Sequence, residues 1–141
     1  MEQCIFCDIA KDKISSYRVY EDEKTFAFLD INPRNPGHTL VIPKKHYETI
    51  FQLPENDVSS LFRSVKKVAM AIKIGMNADG ISIAQSNESA AGQDIHHIHV
   101  HVIPRFSPED PVSVEGMLPL KVIKKSEFPK IATKISKNLS K

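Results

Sequence analysis

Apolar positions along the chain fall into short runs of β-forming residues and one long stretch of helical period. Residues 17–20 and 25–29 are rich in β-branched and aromatic side chains and flank the polar turn Glu21-Asp22-Glu23-Lys24, which predicts a β-hairpin. The segment 30–37 holds two prolines and a glycine, then opens into His38-Thr39-Leu40-Val41-Ile42, a third strand that Pro43 is expected to stop. Pro54-Glu55-Asn56-Asp57 supplies helix-start residues. Val58, Leu61, Phe62, Val65, Val68, Ala69 and Ile72 then recur at helical spacing until Gly75. After the turn Asn77-Ala78-Asp79-Gly80, residues 81–84 predict a strand, 87–92 a loop of small residues, and 95–103 a last strand ended by Pro104. Five strands and one long helix, with the last two strands adjacent, predict an α+β domain: an antiparallel five-stranded sheet covered on one side. Ile131, Ile135 and Leu139 stand four apart among lysines, which predicts a C-terminal amphipathic helix.

Composition narrows this picture. A chain of 141 residues that is 41% hydrophobic fits one domain with a single core. We expect residues 1–107 to form it, with 108–141 as a basic extension packed on or near the same domain. The net charge of +2 conceals a division: 12 basic against 16 acidic residues up to position 117, and 7 against 1 from 118 onward. Clustered lysines suit phosphate polymers, but Phe128 is the one aromatic residue of that tail, so nucleic acid is not an expected partner. No apolar run approaches the roughly 20 residues that span a bilayer. The start Met1-Glu2-Gln3-Cys4 lacks the basic and apolar regions of a secretion signal. The expectation is a cytoplasmic protein with no membrane partner.

The chemistry concentrates in the histidines, all six of which lie between His38 and His101. In His97-Ile98-His99-Val100-His101-Val102-Ile103 polar and apolar residues alternate, and a strand sends alternate side chains to opposite faces. His97, His99 and His101 therefore share one face, and Ile98, Val100 and Val102 take the other, against the long helix; His96 belongs by parity with the apolar set. Three explanations stand. The histidines are polar positions of an amphipathic strand, although histidine is not a strong strand former. They hold a catalytic zinc, although same-face neighbours on a strand are roughly 6.6 Å apart, awkward for one small ion. Or they do nucleophilic and acid–base work, which a side chain with a reference pKa of about 6.5 suits. Attack on phosphorus would give a labile P–N intermediate, with a second imidazole serving the phosphate or the leaving group. Cys4-Ile5-Phe6-Cys7 has the spacing of half a metal site and needs two more ligands. Ordinary buried thiols or a redox pair are the other readings, the latter without a thioredoxin-like βαβ pattern around it.

The stretch Gly92-Gln93-Asp94-Ile95-His96-His97-Ile98-His99-Val100-His101-Val102-Ile103-Pro104-Arg105 resembles the defining motif of the histidine triad superfamily, His-φ-His-φ-His-φ-φ with φ apolar. Ile5-Phe6-Cys7-Asp8-Ile9, Phe26-Ala27-Phe28-Leu29-Asp30-Ile31 and Pro36-Gly37-His38-Thr39-Leu40-Val41-Ile42-Pro43-Lys44-Lys45-His46 resemble the family's other blocks in the same order. The resemblance implies a HIT-like fold and a nucleotide hydrolase or transferase with no organic cofactor. Such an enzyme acts at the α-phosphorus of a nucleoside phosphoramidate, a nucleotidyl conjugate or a dinucleoside polyphosphate. A nucleotide-binding regulatory module with little turnover is the alternative.

It also implies roles. His99 becomes transiently nucleotidylated, the backbone around His97 orients it, and His101 contacts the phosphate and helps the leaving group depart. Gln93 bonds the reacting phosphate region. Asp30 accepts from the ribose hydroxyls, and Ile5, Phe6, Ile9, Phe28, Leu29 and Ile31 line a base pocket suited to a purine. In bacterial and archaeal relatives the cysteine pair joins two histidines on a structural zinc, here Cys4, Cys7, His46 and His97. Pairing of relatives through the sheet and long helix implies a homodimer. Two departures affect the phosphate side. Asp94 stands where relatives commonly carry Ser or Thr, and a carboxylate there repels phosphate unless protonated or turned away. The amide expected seven positions before Gln93 falls on Ser86, flanked by Gln85 and Asn87, so Asn87 and Asp94 join the candidate substrate-binding set. The chain has no tryptophan, so the Trp-containing C-terminus of many phosphoramidase relatives is absent. His38 has two readings, a local hydrogen bond at a strand start or a direct substrate role.

Overall fold

The β-formers around the first polar turn pair with one another: β1 (Arg18–Glu21) and β2 (Thr25–Leu29) form an antiparallel hairpin. Asp22 organises its turn by accepting from the amides of Lys24 and Thr25 at 3.0 and 2.8 Å and from the Thr25 hydroxyl at 2.9 Å. In the computed structural model, which describes residues 3–108, 113 and 115–139, the sheet continues through β3 (Thr39–Pro43), β4 (Gly80–Ala84) and β5 (Val100–Arg105). All neighbours are antiparallel and the spatial order is β1-β2-β3-β5-β4. The α+β reading of the sequence holds.

Helix α2 (Glu55–Gly75) lays Leu61, Val65, Val68 and Ile72 on one face of the sheet, against Ala27, Val41, Ile98, Val100 and Val102. Phe62, counted in the predicted stripe, points away and is 39% exposed. The expected one-sided covering needs correction. A short helix α1 (Ile5–Ala10) closes part of the opposite face, where Phe6 and Ile9 pack with Phe26, Phe28, Leu40 and Ile42. β2 and β3 are thus buried on both sides, which is why they read as continuous apolar runs rather than alternating ones. α1 is too short for periodicity to announce it. Its turn is held by Cys4 at the N-cap, whose Sγ accepts from the Cys7 amide at 3.4 Å, and by the burial of Phe6 and Ile9.

The last strand starts later and ends later than the sequence predicts. Residues 95–99 lie outside the sheet, and the Ile98 amide donates instead to Tyr47 O at 2.7 Å. Pro104 does not end β5. The ladder with β3 stops at Val102, so the proline sits where the strand has β4 alone beside it, a position that tolerates a missing N–H. The alternation survives this shift, with Ile98, Val100 and Val102 fully buried on the α2 side. At the other end, α3 (Phe128–Ser136) forms where the four-residue spacing predicts it, with none of its residues buried. Within a single chain the extension leaves its apolar side open, and Leu120 ahead of it is 100% exposed. Residues 109–112, 114, 140 and 141 of this extension lie outside the described residues. Among the described residues no helix is long and apolar enough to cross a membrane.

Asp22 also ties the hairpin to α2: it accepts from the hydroxyls of Tyr20 at 2.9 Å and Ser64 at 3.1 Å. Burial pushes its carboxyl up, but bonds from the Thr25 hydroxyl, the Thr25 and Lys24 amides and Tyr20 outweigh it and hold it at about 2, below the usual 3.8. The stability this confers is fully present above pH 3.8 and is lost as the pH falls through about 2. Asp22→Asn should lower the unfolding free energy at pH 7 by roughly 1–2 kcal/mol after allowance for solvent screening. In urea titrations that deficit should shrink below pH 4; equal stabilities at pH 7 would refute it.

Candidate active site and metal centre

The sheet register assembles the histidine face. Leu40 of β3 stands opposite His101 of β5, and Leu29 of β2 opposite Thr39, so Asp30, His38 and His101 meet at one end of three adjacent strands. His99 lies just before β5 and is buried beneath its neighbours, its ring edge-on to Phe6 at 5.2 Å and to His101 at 5.1 Å between centroids. Its Nδ1 is 2.8 Å from the carbonyl oxygen of His97. A carbonyl only accepts, so Nδ1 carries the proton and Nε2 keeps a free lone pair. His99 is therefore held in the tautomer that a nucleophile needs.

His101 is half-buried, its Nδ1 2.9 Å from His38 Nε2. Burial, then the neighbouring His99 and His38, push its pKa down to about 4, while the carboxylates of Asp30 and Asp94 work in the other direction. His38 is buried as well. Its pKa is lowered chiefly by burial, which Asp30 opposes and Arg34 reinforces. Asp30 Oδ2 lies 3.5 Å from His38 Nε2, and Oδ1 accepts from the Asn32 amide at 2.9 Å.

The residues expected at the phosphate are placed differently. Gln93 is buried, and its amide is fully occupied: Oε1 accepts from the Glu88 amide, and Nε2 donates to the carbonyls of Glu48 at 2.6 Å and Ile95 at 3.1 Å. Both of its donor hydrogens hold backbone carbonyls, so Gln93 ties together the loop before the histidines. Asn87 is similarly engaged. Its Oδ1 accepts from Ile50 N at 2.8 Å, and it exchanges reciprocal amide bonds with Gln85. Asp94, next to Gln93, is exposed. Of the expected pocket walls, Phe6, Ile9 and Phe28 are core residues beneath the site, Leu29 is half-buried, and Ile5 and Ile31 are exposed, Ile31 by 77%.

Behind His99 lies a second cluster. Cys4 caps α1, Cys7 lies in its first turn, and His46 follows β3. Their donor atoms meet His97 Nδ1 at 3.4 Å from Cys4 Sγ, 3.5 Å from Cys7 Sγ and 3.3 Å from His46 Nδ1; Cys7 Sγ to His46 Nδ1 is 3.4 Å. These four residues could hold a metal ion. The separations match the edges of a tetrahedron with bonds of about 2.0–2.3 Å, which run to about 3.3–3.8 Å. His97 Nε2 donates to Pro43 O at 2.8 Å, so Nδ1 presents a lone pair to the cluster, the usual arrangement of a metal-bound imidazole. Burial pushes the pKa of His97 down to about 4; the Pro43 bond opposes this, while His46 and His99 add to it. Burial and the bond with Cys4 push the Cys7 thiol up to about 11, and a cation would supply the charge its thiolate requires. His97 thus faces the cluster with its ring and His99 with its carbonyl. His38 is the member of the site whose part the sequence left undecided, because Arg34 and Asp30 reach it by the folding of the loop before β3 and His101 reaches it through strand register.

The profile of the HIT domain matches residues 11–108. An uncharacterized HIT-like protein of Methanocaldococcus jannaschii is 46% identical over 109 residues, covering 77% of this chain and 84% of that protein. The adenosine 5′-monophosphoramidase of Candida albicans is 37% identical over 106 residues, covering 72% and 70%. The crystal structure of a HIT family member from Bacillus subtilis superposes with a TM-score of 0.88 at 36% identity over 99% of both chains.

Proposed function

This chain belongs to the HIT domain family, and from that we propose that it is a nucleotide hydrolase or transferase cleaving at the α-phosphorus through a nucleotidyl-His99 intermediate. The observation that carries this is the His99–His97 carbonyl bond, which leaves a buried imidazole with its Nε2 lone pair free beside a second imidazole. The substrate is a purine nucleoside phosphoramidate or dinucleoside polyphosphate, and the name of the Candida albicans relative favours the first. Asp30 takes the ribose hydroxyls and His101 the phosphate. The bond from His99 Nε2 to phosphorus forms as the bond to the leaving group breaks. A phosphate chain departs as its anion; an amine departs with a proton taken from solvent water. Water then attacks phosphorus, the P–N bond breaks and its proton passes to solvent, releasing the nucleoside monophosphate.

Zinc is the metal we assign to Cys4, Cys7, His46 and His97, on the two-thiolate, two-imidazole donor set, in a structural role. A cytoplasmic setting agrees with free cysteines at that site. The chain works as a homodimer paired through β4 and α2: β4 ends the sheet, with Ile83 49% exposed, and α2 presents Met70 and Ile74 outward. Ile83→Lys should convert the dimer to monomer in sedimentation velocity; an unchanged sedimentation coefficient would sink this interface.

Asp94 favours a second reading, a nucleotide-binding module with weak turnover, since its carboxylate acts on His101 and opposes bound phosphate. Incubation with adenosine 5′-phosphoramidate and with a diadenosine polyphosphate decides. AMP release from either supports the enzyme, and binding of both with no AMP from either supports the module. Asp94→Ser should raise turnover about tenfold on the polyphosphate if repulsion is its main effect, and lower turnover on the phosphoramidate if it delivers the proton.

A further inference from the structure

We propose that His38 is a positioning residue that holds His101 in the Nε2–H tautomer, so that His101 meets the α-phosphate as a neutral hydrogen-bond donor. This rests on the phosphate role given to His101 above. The backbone amide of Arg34 can only donate, and it lies 3.0 Å from His38 Nδ1. Nδ1 of His38 therefore carries a lone pair and its ring proton sits on Nε2. That Nε2 is 2.9 Å from His101 Nδ1, so the contact is N–H···N, with His101 accepting and its own proton on Nε2. The separation is shorter than the roughly 3.3 Å expected of two imidazoles sharing a tetrahedral ion, which argues for a hydrogen bond rather than metal ligands at Asp30, His38 and His101.

Charging His101 would turn its Nδ1 into a second donor aimed at the donor on His38. His38 could yield only by moving its proton to Nδ1, where the Arg34 amide already points. Around His101 stand His99, His38, Asp30 and Asp94, and around His38 stand Asp30 and Arg34. Both carboxylates favour a cation at His101; burial, the two imidazoles and the Arg34 amide oppose it. The lock is built by the proline- and glycine-rich loop. His38 N donates to Asn35 O at 3.0 Å, and Gly37 takes φ +97° where an added Cβ would lie 2.9 Å from Met76 Cγ. A side chain at position 37 would be doubly resisted.

The test reads tautomers directly. In 15N-labelled protein, two-bond 15N–1H correlation spectra distinguish Nδ1–H, Nε2–H and imidazolium, with His101 assigned from its loss in His101→Gln. Wild type at pH 7 should show His101 as neutral Nε2–H; an Nδ1–H ring or an imidazolium overturns the proposal. His38→Leu, which lacks the donor, should give mixed tautomers and raise the His101 pKa by one to two units toward about 6.5. The acid limb of kcat/KM for adenosine 5′-phosphoramidate should move with it. His38→Gln, whose amide nitrogen can replace Nε2 as donor, should keep the wild-type tautomer. A His101 unchanged by His38→Leu also overturns the proposal. If His38→Leu does not fold, the wild-type and His38→Gln spectra decide alone. A protein with no turnover still yields the spectra, so failure of the enzyme reading is distinguishable from failure of this one.

Discussion

His99→Ala should reduce AMP release from adenosine 5′-phosphoramidate by about 10⁴-fold or more, the loss seen when a nucleophile acting as part of a unit is removed. The buried imidazole is held by a carbonyl at one nitrogen and leaves one lone pair to react. No neighbour duplicates it: His97 Nδ1 faces the thiols, and His101 Nδ1 is occupied by His38. Quenching in alkaline denaturant during a single turnover, which preserves an acid-labile P–N bond, should trap one nucleotidyl group on wild type, detected by mass and mapped to His99, and none on the variant. The substitution removes one hydrogen bond and edge contacts with Phe6 and His101, so the fold should persist, and a circular dichroism melt within a few degrees of wild type separates lost chemistry from lost structure. A rate within tenfold of wild type would eliminate His99 as nucleophile.

Loss of the zinc proposed at Cys4, Cys7, His46 and His97 should act on stability first. Cys7→Ser, or chelation of the wild type, should remove one metal ion per chain and lower Tm by about 10 °C, corresponding to about 3 kcal/mol for a domain of this size. α1 is six residues long, below the length at which a helix stands alone, and the cluster and the packing of Phe6 and Ile9 hold it to the sheet. That packing remains in the variant, which is why partial destabilisation rather than unfolding is expected. Activity should fall about tenfold, because the residue that offers Nδ1 to the cluster also offers its carbonyl to His99. Metal analysis together with the melt checks this; equal metal content, or equal melting temperatures despite metal loss, would contradict it.

Much of this was legible in local pattern. Alternation over residues 97–103 put three histidines on one face and three aliphatic residues on the other, and that division holds although β5 begins only at Val100. It persists because burial of Ile98, Val100 and Val102 against α2 enforces parity whether or not a ladder partner is present. The period of residues 55–75 set α2 for the same reason, a single apolar stripe. Other features depended on contacts distant in sequence. α1 is made by a cap and two buried side chains, not by a period. Gln93, expected at the phosphate, was claimed by the backbone of residues 48, 88 and 95, which only the closed loop brings within its reach.

By itself the sequence determined which residue types could do chemistry and which face each would share, because side-chain direction follows from the two-residue and 3.6-residue periods of the chain. Tertiary structure decided which donors meet. Cys4 and His97 are 93 positions apart and His38 and His101 are 63, and their contacts arise from strand register and the closure of α1 over the sheet. Protonation was decided there too. A carbonyl at His99, the Pro43 oxygen at His97 and the Arg34 amide at His38 each permit one tautomer, and those three backbone groups distinguish the proposed nucleophile, the imidazole facing the thiols and the proposed positioning residue among otherwise identical side chains.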